Sequence, residues 1–117
     1  MNSEDLKRRT KQFAHKCIKL TNKLPQTKLG SHIQGQIIRC STSVAAHYRA
    51  VCLAQSKASF ISKISIVLEE IDESLFWLEF ILEEKFLDEK EVMPLVTEAN
   101  ELTAIFYASR KTARLSK

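Results

Sequence analysis

Only two glycines and two prolines punctuate 117 residues, and that scarcity decides the fold class before any periodicity is read. A β-sandwich or barrel reverses its chain about every 8–12 residues and draws on Gly and Pro to do so. Four such residues cannot serve that many turns, whereas a few long helices need only a few links. The chain is therefore expected to be all-α. A hydrophobic fraction of 44% belongs to a chain that folds, and the length suits one domain around one modest core. No apolar run approaches the ~18 residues of a membrane span. The opening MNSEDLKRR carries acids in place of the apolar stretch of a secretion signal. A cytoplasmic location is expected, with Cys17, Cys40 and Cys52 as reduced thiols among apolar neighbours.

Apolar stripes at the helical period place four elements. Helix 1 is expected over about 3–24, with Ser3 as its N-cap, Pro25 closing it, and Leu6, Phe13, Cys17, Leu20 and Leu24 facing inward. Helix 2, about 29–54, buries Ile33, Ile37, Cys40, Val44, Tyr48 and Val51. Helix 3, about 57–84, buries Phe60, Ile64, Val67, Ile71, Leu75, Leu78 and Leu82. For helix 4, Asp88 and Glu91 have capping-box spacing, but a helix begun there holds Pro94 too deep. A loose turn and a regular helix over about 92–114 are expected instead, with Leu95, Ala99, Leu102 and Phe106 inward. Short links between such helices predict one antiparallel up-down-up-down four-helix bundle across residues 1–117.

Charge is segregated along the chain. Residues 1–63 hold 12 Lys/Arg against 2 Asp/Glu, and residues 64–109 hold 2 against 12. The last eight, RKTARLSK, add four cations. On helix 1, Arg8, Lys11, Lys16, Lys19 and Lys23 fall opposite the apolar stripe, reinforced by Lys7 and Arg9. With Arg110, Lys111, Arg114 and Lys117, this basic surface is the leading candidate for contact with RNA or DNA backbones. Helix 1 offers no outward aromatic for stacking, so such binding is expected to follow charge and shape rather than base sequence.

Two helices carry more than one low-charge face. The stretch 36–50, QIIRCSTSVAAHYRA, has only Arg39 and Arg49 as charges, and its second side presents Thr42, Ala46 and Ala50. A helix nearly uncharged all round is usually covered all round. On helix 3, Phe76, Trp77 and Phe80 point away from the seam among Glu69, Glu70 and Glu73. One face offers small residues with arginines, and the other offers aromatics with glutamates. Helix 2 of one chain is therefore expected against helix 3 of the next, with Arg39 and Arg49 meeting these acids. Two unlike surfaces that meet this way make a ring when the rotation closes. A wide core within one chain is the competing explanation.

The segments Ser43-Val44-Ala45-Ala46-His47-Tyr48-Arg49-Ala50 and Ser56-Lys57-Ala58-Ser59-Phe60-Ile61-Ser62-Lys63 carry a likeness. So do Glu69-Glu70-Ile71-Asp72-Glu73-Ser74 with Trp77-Leu78-Glu79, and Lys111-Thr112-Ala113-Arg114. Together, and in this order over essentially the whole chain, they resemble the four-helix-bundle family linked to ribosomal-RNA intervening sequences. The resemblance implies a homopentameric ring of such bundles. It also brings in a related bundle, the accessory variability protein of diversity-generating retroelements, and with it work beside a reverse transcriptase. The family form usually reads S-V-A-A-N-Y, with Asn where this chain has His47, so an imidazole must here make that amide's contact or forgo it.

Catalysis has little to stand on. Glu69 and Glu73 share a helix face and could bind a metal, but no Glu-x-x-His motif accompanies them. No Gly-rich phosphate loop is present, and no Cys–His pair comes with an orienting group. The expectation is a non-enzymatic homo-oligomer without cofactor or metal that binds structured RNA or DNA. The alternative is a protein-interaction scaffold with no nucleic-acid role.

Overall fold

The first three helices start where a side chain takes up a free backbone N–H group. In the computed structural model, which describes residues 1–116, the helices are α1 Ser3–Thr21, α2 Lys28–Cys52, α3 Lys57–Glu83 and α4 Glu89–Leu115, with no strand among the described residues. The first starts at the expected residue but takes a different cap. Asn2, not Ser3, is the N-cap of α1, because Asn2 and Asp5 form a reciprocal capping box. Thr27 caps α2 through the Gly30 N–H at 3.1 Å, and Ser56 caps α3 through Ser59 at 3.0 Å. Gly30 is obligatory here, since a Cβ would stand 1.9 Å from the Pro25 carbonyl oxygen.

The helix ends follow local rules as well. Regular α1 stops at Thr21, and Lys23 and Leu24 donate back to Leu20 and Thr21 in a tightened last turn before Pro25. After α3, Phe86 N–H bonds the Ile81 carbonyl and Lys85 N–H bonds that of Leu82, a Schellman stop with Lys85 at φ 56°. The expected late start of α4 needs correction. Its regular helix opens at Glu89 and carries Pro94 inside. Val92, Leu95 and Val96 flank that proline and are all buried, so their packing outweighs one missing backbone bond. Asp88 makes no capping bond, and Glu91 turns to Lys23 instead.

The four helices form a bundle 50 Å long and 21 Å across. α1 packs on α2, α2 on α3, α3 on α4, and a slimmer contact joins α4 to α1. The core takes the expected stripes of α1, α2 and α4, capped by Tyr48 against Phe106 at 5.1 Å between ring centroids. On α3 the inward face is rotated from expectation. Leu68, Ser74 and Ile81 are buried, while Phe60, Leu75 and Leu82 are half-buried. Ser74 is satisfied there by donating to the Glu70 carbonyl at 2.9 Å and lying 3.2 Å from the Cys40 sulfur. Burial pushes the Cys17 and Cys40 thiols up, which keeps them protonated, whereas Cys52 is only half-buried.

Candidate nucleic-acid interface

The outward face of α1 holds cations of two kinds. Some are already engaged inside the molecule. Arg9 reaches α4 as a two-pronged fork, Nε to Glu98 Oε2 at 2.6 Å and Nη2 to Glu98 Oε1 at 2.7 Å, with Glu101 at 3.1 Å. Its hydrogen bond to Glu98 raises its already high pKa, so it stays charged. Lys23 meets Glu91 at 2.7 Å, Lys7 meets Glu4, and Arg8 meets Asp5. The others, Lys11, Lys16 and Lys19, are exposed and make no ion pair among the described residues.

These cations do not merge into one patch with the C-terminal ones. Lys16, Lys19 and Lys23 flank the start of α4 beside Pro94. Lys111 lies 17 residues further along α4 than Pro94, which is about 25 Å of helix. Arg114 is more distant still, and Lys117 lies outside the described residues. Lys111 and Arg114 are exposed or nearly so, but Arg110 is half-buried. Its guanidinium sits 4.7 Å above the Tyr107 ring and donates to Ser65 Oγ at 3.1 Å. Lys11 belongs to a third location, the groove between α1 and α2, where it lies with Lys7, His15 and Arg49.

The residues expected between subunits divide in a similar way. Arg39 bonds Glu70 at 3.2 Å and also Glu73, both in its own chain, so its register-setting pairs join α2 to the neighbouring α3. The Glu73 bond raises the Arg39 pKa. Trp77 and Phe80 are half-buried and pack against the core, with Trp77 edge-on to His32 at 5.5 Å. Of the three aromatics expected to point outward on α3, Phe76 alone is exposed, at 53%, beside Trp77. Thr42, Ala46 and Arg49 are exposed or nearly so, Ala50 is half-buried, and Glu69 is exposed. Sequence reasoning missed Glu83, an exposed acid two turns beyond Phe76, although its helical spacing from that ring was an available signal.

His47 is half-buried, with Nδ1 2.8 Å from Ser43 Oγ and 3.0 Å from the Ser43 carbonyl oxygen. One tautomer donates to Ser43, and the other accepts from its hydroxyl. Either way Nδ1 is satisfied one helical turn back. Glu69 and Glu73 find no further ligands, since no three His, Cys, Asp or Glu side chains gather as a metal site among the described residues. No helix of the described residues is long and apolar enough to cross a membrane.

The bundle has relatives. It superposes on the crystal structure of a protein of unknown function from the S23 ribosomal protein family of Bacteroides thetaiotaomicron. The TM-score is 0.82 at 27% identity, covering 90% of this chain and 97% of that one. No curated protein matches the chain. A family profile does, over residues 4–108, from the first turn of α1 through most of α4. With the profile spanning all four helices, the chain belongs to the 23S rRNA-intervening sequence protein family.

Proposed function

We propose that this protein is a non-catalytic homo-oligomer that holds the phosphate backbone of structured RNA or DNA on the outer face of α1. The observation that carries the reading is the free set Lys11, Lys16 and Lys19, exposed on a helix whose other cations are paired. A lysine without an internal partner is free to replace a counterion at a phosphate. Membership of a family described by the 23S rRNA intervening sequence adds to the case for a nucleic-acid partner. Work beside a nucleic-acid enzyme such as a reverse transcriptase fits the same surface, and so does a cytoplasmic site of action.

The helices in this reading run up-down-up-down. Residue numbers rise along one helix as they fall along its neighbour in the pairs Arg9–Glu98 and Lys23–Glu91, and again in His32–Trp77 and Cys40–Ser74. Copies assemble into a closed ring, a pentamer in our reading, which repeats the free lysines around one axis and raises the avidity of a weak site. Filter binding with an RNA hairpin and a DNA duplex, from about 50 to 200 mM salt, tests the proposal. Lys16→Glu/Lys19→Glu is expected to lose most of the retention that the wild type shows at low salt. Equal retention by both proteins, or none by either, refutes it.

A further inference from the structure

A groove of about 270 Å³ runs between α1 and α2. Ala14, Ala45 and Ala46 form its floor, and Lys7, Lys11 and Arg49 stand on its rim. Its lining is mostly apolar. Of the rim cations, Lys11 and Arg49 have no ion-pair partner among the described residues. Ile38, 39% exposed, continues the apolar strip one turn beyond Thr42. An open apolar channel with cationic edges fits an apolar knob with anionic edges.

The same chain carries such a knob. Phe76 projects from α3, and its ring is braced edge-on by Trp77 at 4.9 Å, with the tilted Phe80 ring at 6.0 Å. The bracing holds the ring ready without ordering on contact. Asp72 lies one turn before Phe76, Glu79 one turn after, and Glu83 two turns after. All three are exposed, and none forms an ion pair among the described residues. The α1 wall of the groove shares no contact with α3, and Phe76 stands exposed on α3 away from that wall. A chain therefore cannot fill its own groove.

We propose that the groove's occupant is a second copy of this chain, with Phe76 of one copy seated between α1 and α2 of the next. Asp72, Glu79 and Glu83 then face the Lys11 and Arg49 rim. This rests on the self-association proposed above and specifies which surfaces make it. The contact is heterologous, so every added copy presents a fresh knob at one end and a fresh groove at the other until the ring closes. Lys11 is taken up by the contact in the assembled ring, while Lys16 and Lys19 stay outside it and remain available to nucleic acid.

Sedimentation velocity on full-length chains tests the contact. Phe76→Asp removes the knob, and Ala46→Glu puts an acid in the groove to repel the partner's acids. Neither side chain is part of the buried core, so circular dichroism melts are expected to match the wild type. Each variant alone is expected to weaken association on the order of 30-fold or more, as removal of a central aromatic anchor does. Mixed one to one, the two variants are expected to form a dimer and nothing larger, because each retains one intact surface. A wild-type oligomer that neither variant disturbs overturns the contact and leaves self-association standing. A wild type monomeric at tens of micromolar overturns both. A mixture that stays monomeric, or that rebuilds the full oligomer, also overturns the pairing.

Discussion

Arg9 and Lys16 stand on one helix two turns apart, and they serve opposite ends. Arg9 is clamped, its guanidinium fork shared between Glu98 and Glu101 with a side chain 20% exposed. Lys16 is open to solvent and touches no carboxylate among the described residues. A wheel drawn on α1 alone puts both among its basic residues. What separates them is the neighbour. α4 brings Glu98 and Glu101 to the flank of α1 where its contact is slimmest, and the ion pairs there help close the bundle. A count of cations on a helix therefore overstates the charge available to a phosphate.

The sharpest break in this comparison is Arg9→Met. It leaves Glu98, 24% exposed, facing an apolar side chain, a cost between that of an exposed and a buried pair. Urea unfolding is expected to show a loss of about 2 kcal/mol, with the melting temperature falling by several degrees. Adding Glu98→Leu is expected to recover most of the loss, because the pair is then replaced by packing. Nucleic-acid retention by the folded protein is expected to be unchanged, since this cation was never free.

Lys16→Ala sharpens the other half. Its melting curve is expected to overlay the wild type, while the log–log salt slope on duplex DNA becomes shallower by about 0.9, because one phosphate is no longer neutralised. An unchanged slope assigns Lys16 to solvent and removes it from the interface.

The same division explains which features were legible in the sequence. Stripes such as Ile33-Ile37-Cys40-Val44 name their helix and its inner face, because burial imposes the 3.6-residue period on the chain itself. The start of α4 was not legible from local rules, since Pro94 argues against a helix that buried Val92, Leu95 and Val96 hold in place. The basic residues of α1 were legible as a set, but not which of them were engaged. Pairs such as Arg9–Glu98 join positions 89 residues apart, and no helical period records them. The α3 face shows the same limit. Phe76, Trp77 and Phe80 look alike by composition, yet a rotation of the inward face to Leu68, Ser74 and Ile81 leaves Phe76 out and turns the other two toward the core.

Arg39 supplies the smallest and most discriminating effect, because it is a clamp that looks like Arg9. It too reaches two glutamates on a neighbouring helix, Glu70 at 16% and Glu73 at 35% exposure, but its own side chain is 51% exposed and opens the cluster to water from that side. α2 and α3 share the broadest helix contact in the bundle, so they do not depend on this bond to stay together. Arg39→Met is therefore expected to cost less than about 1 kcal/mol in urea unfolding, with most of even that screened at high salt. A loss equal to that of Arg9→Met shows that partner count governs these clamps. The expected smaller loss shows that burial does, and that the α1–α4 edge is where this bundle relies on charge.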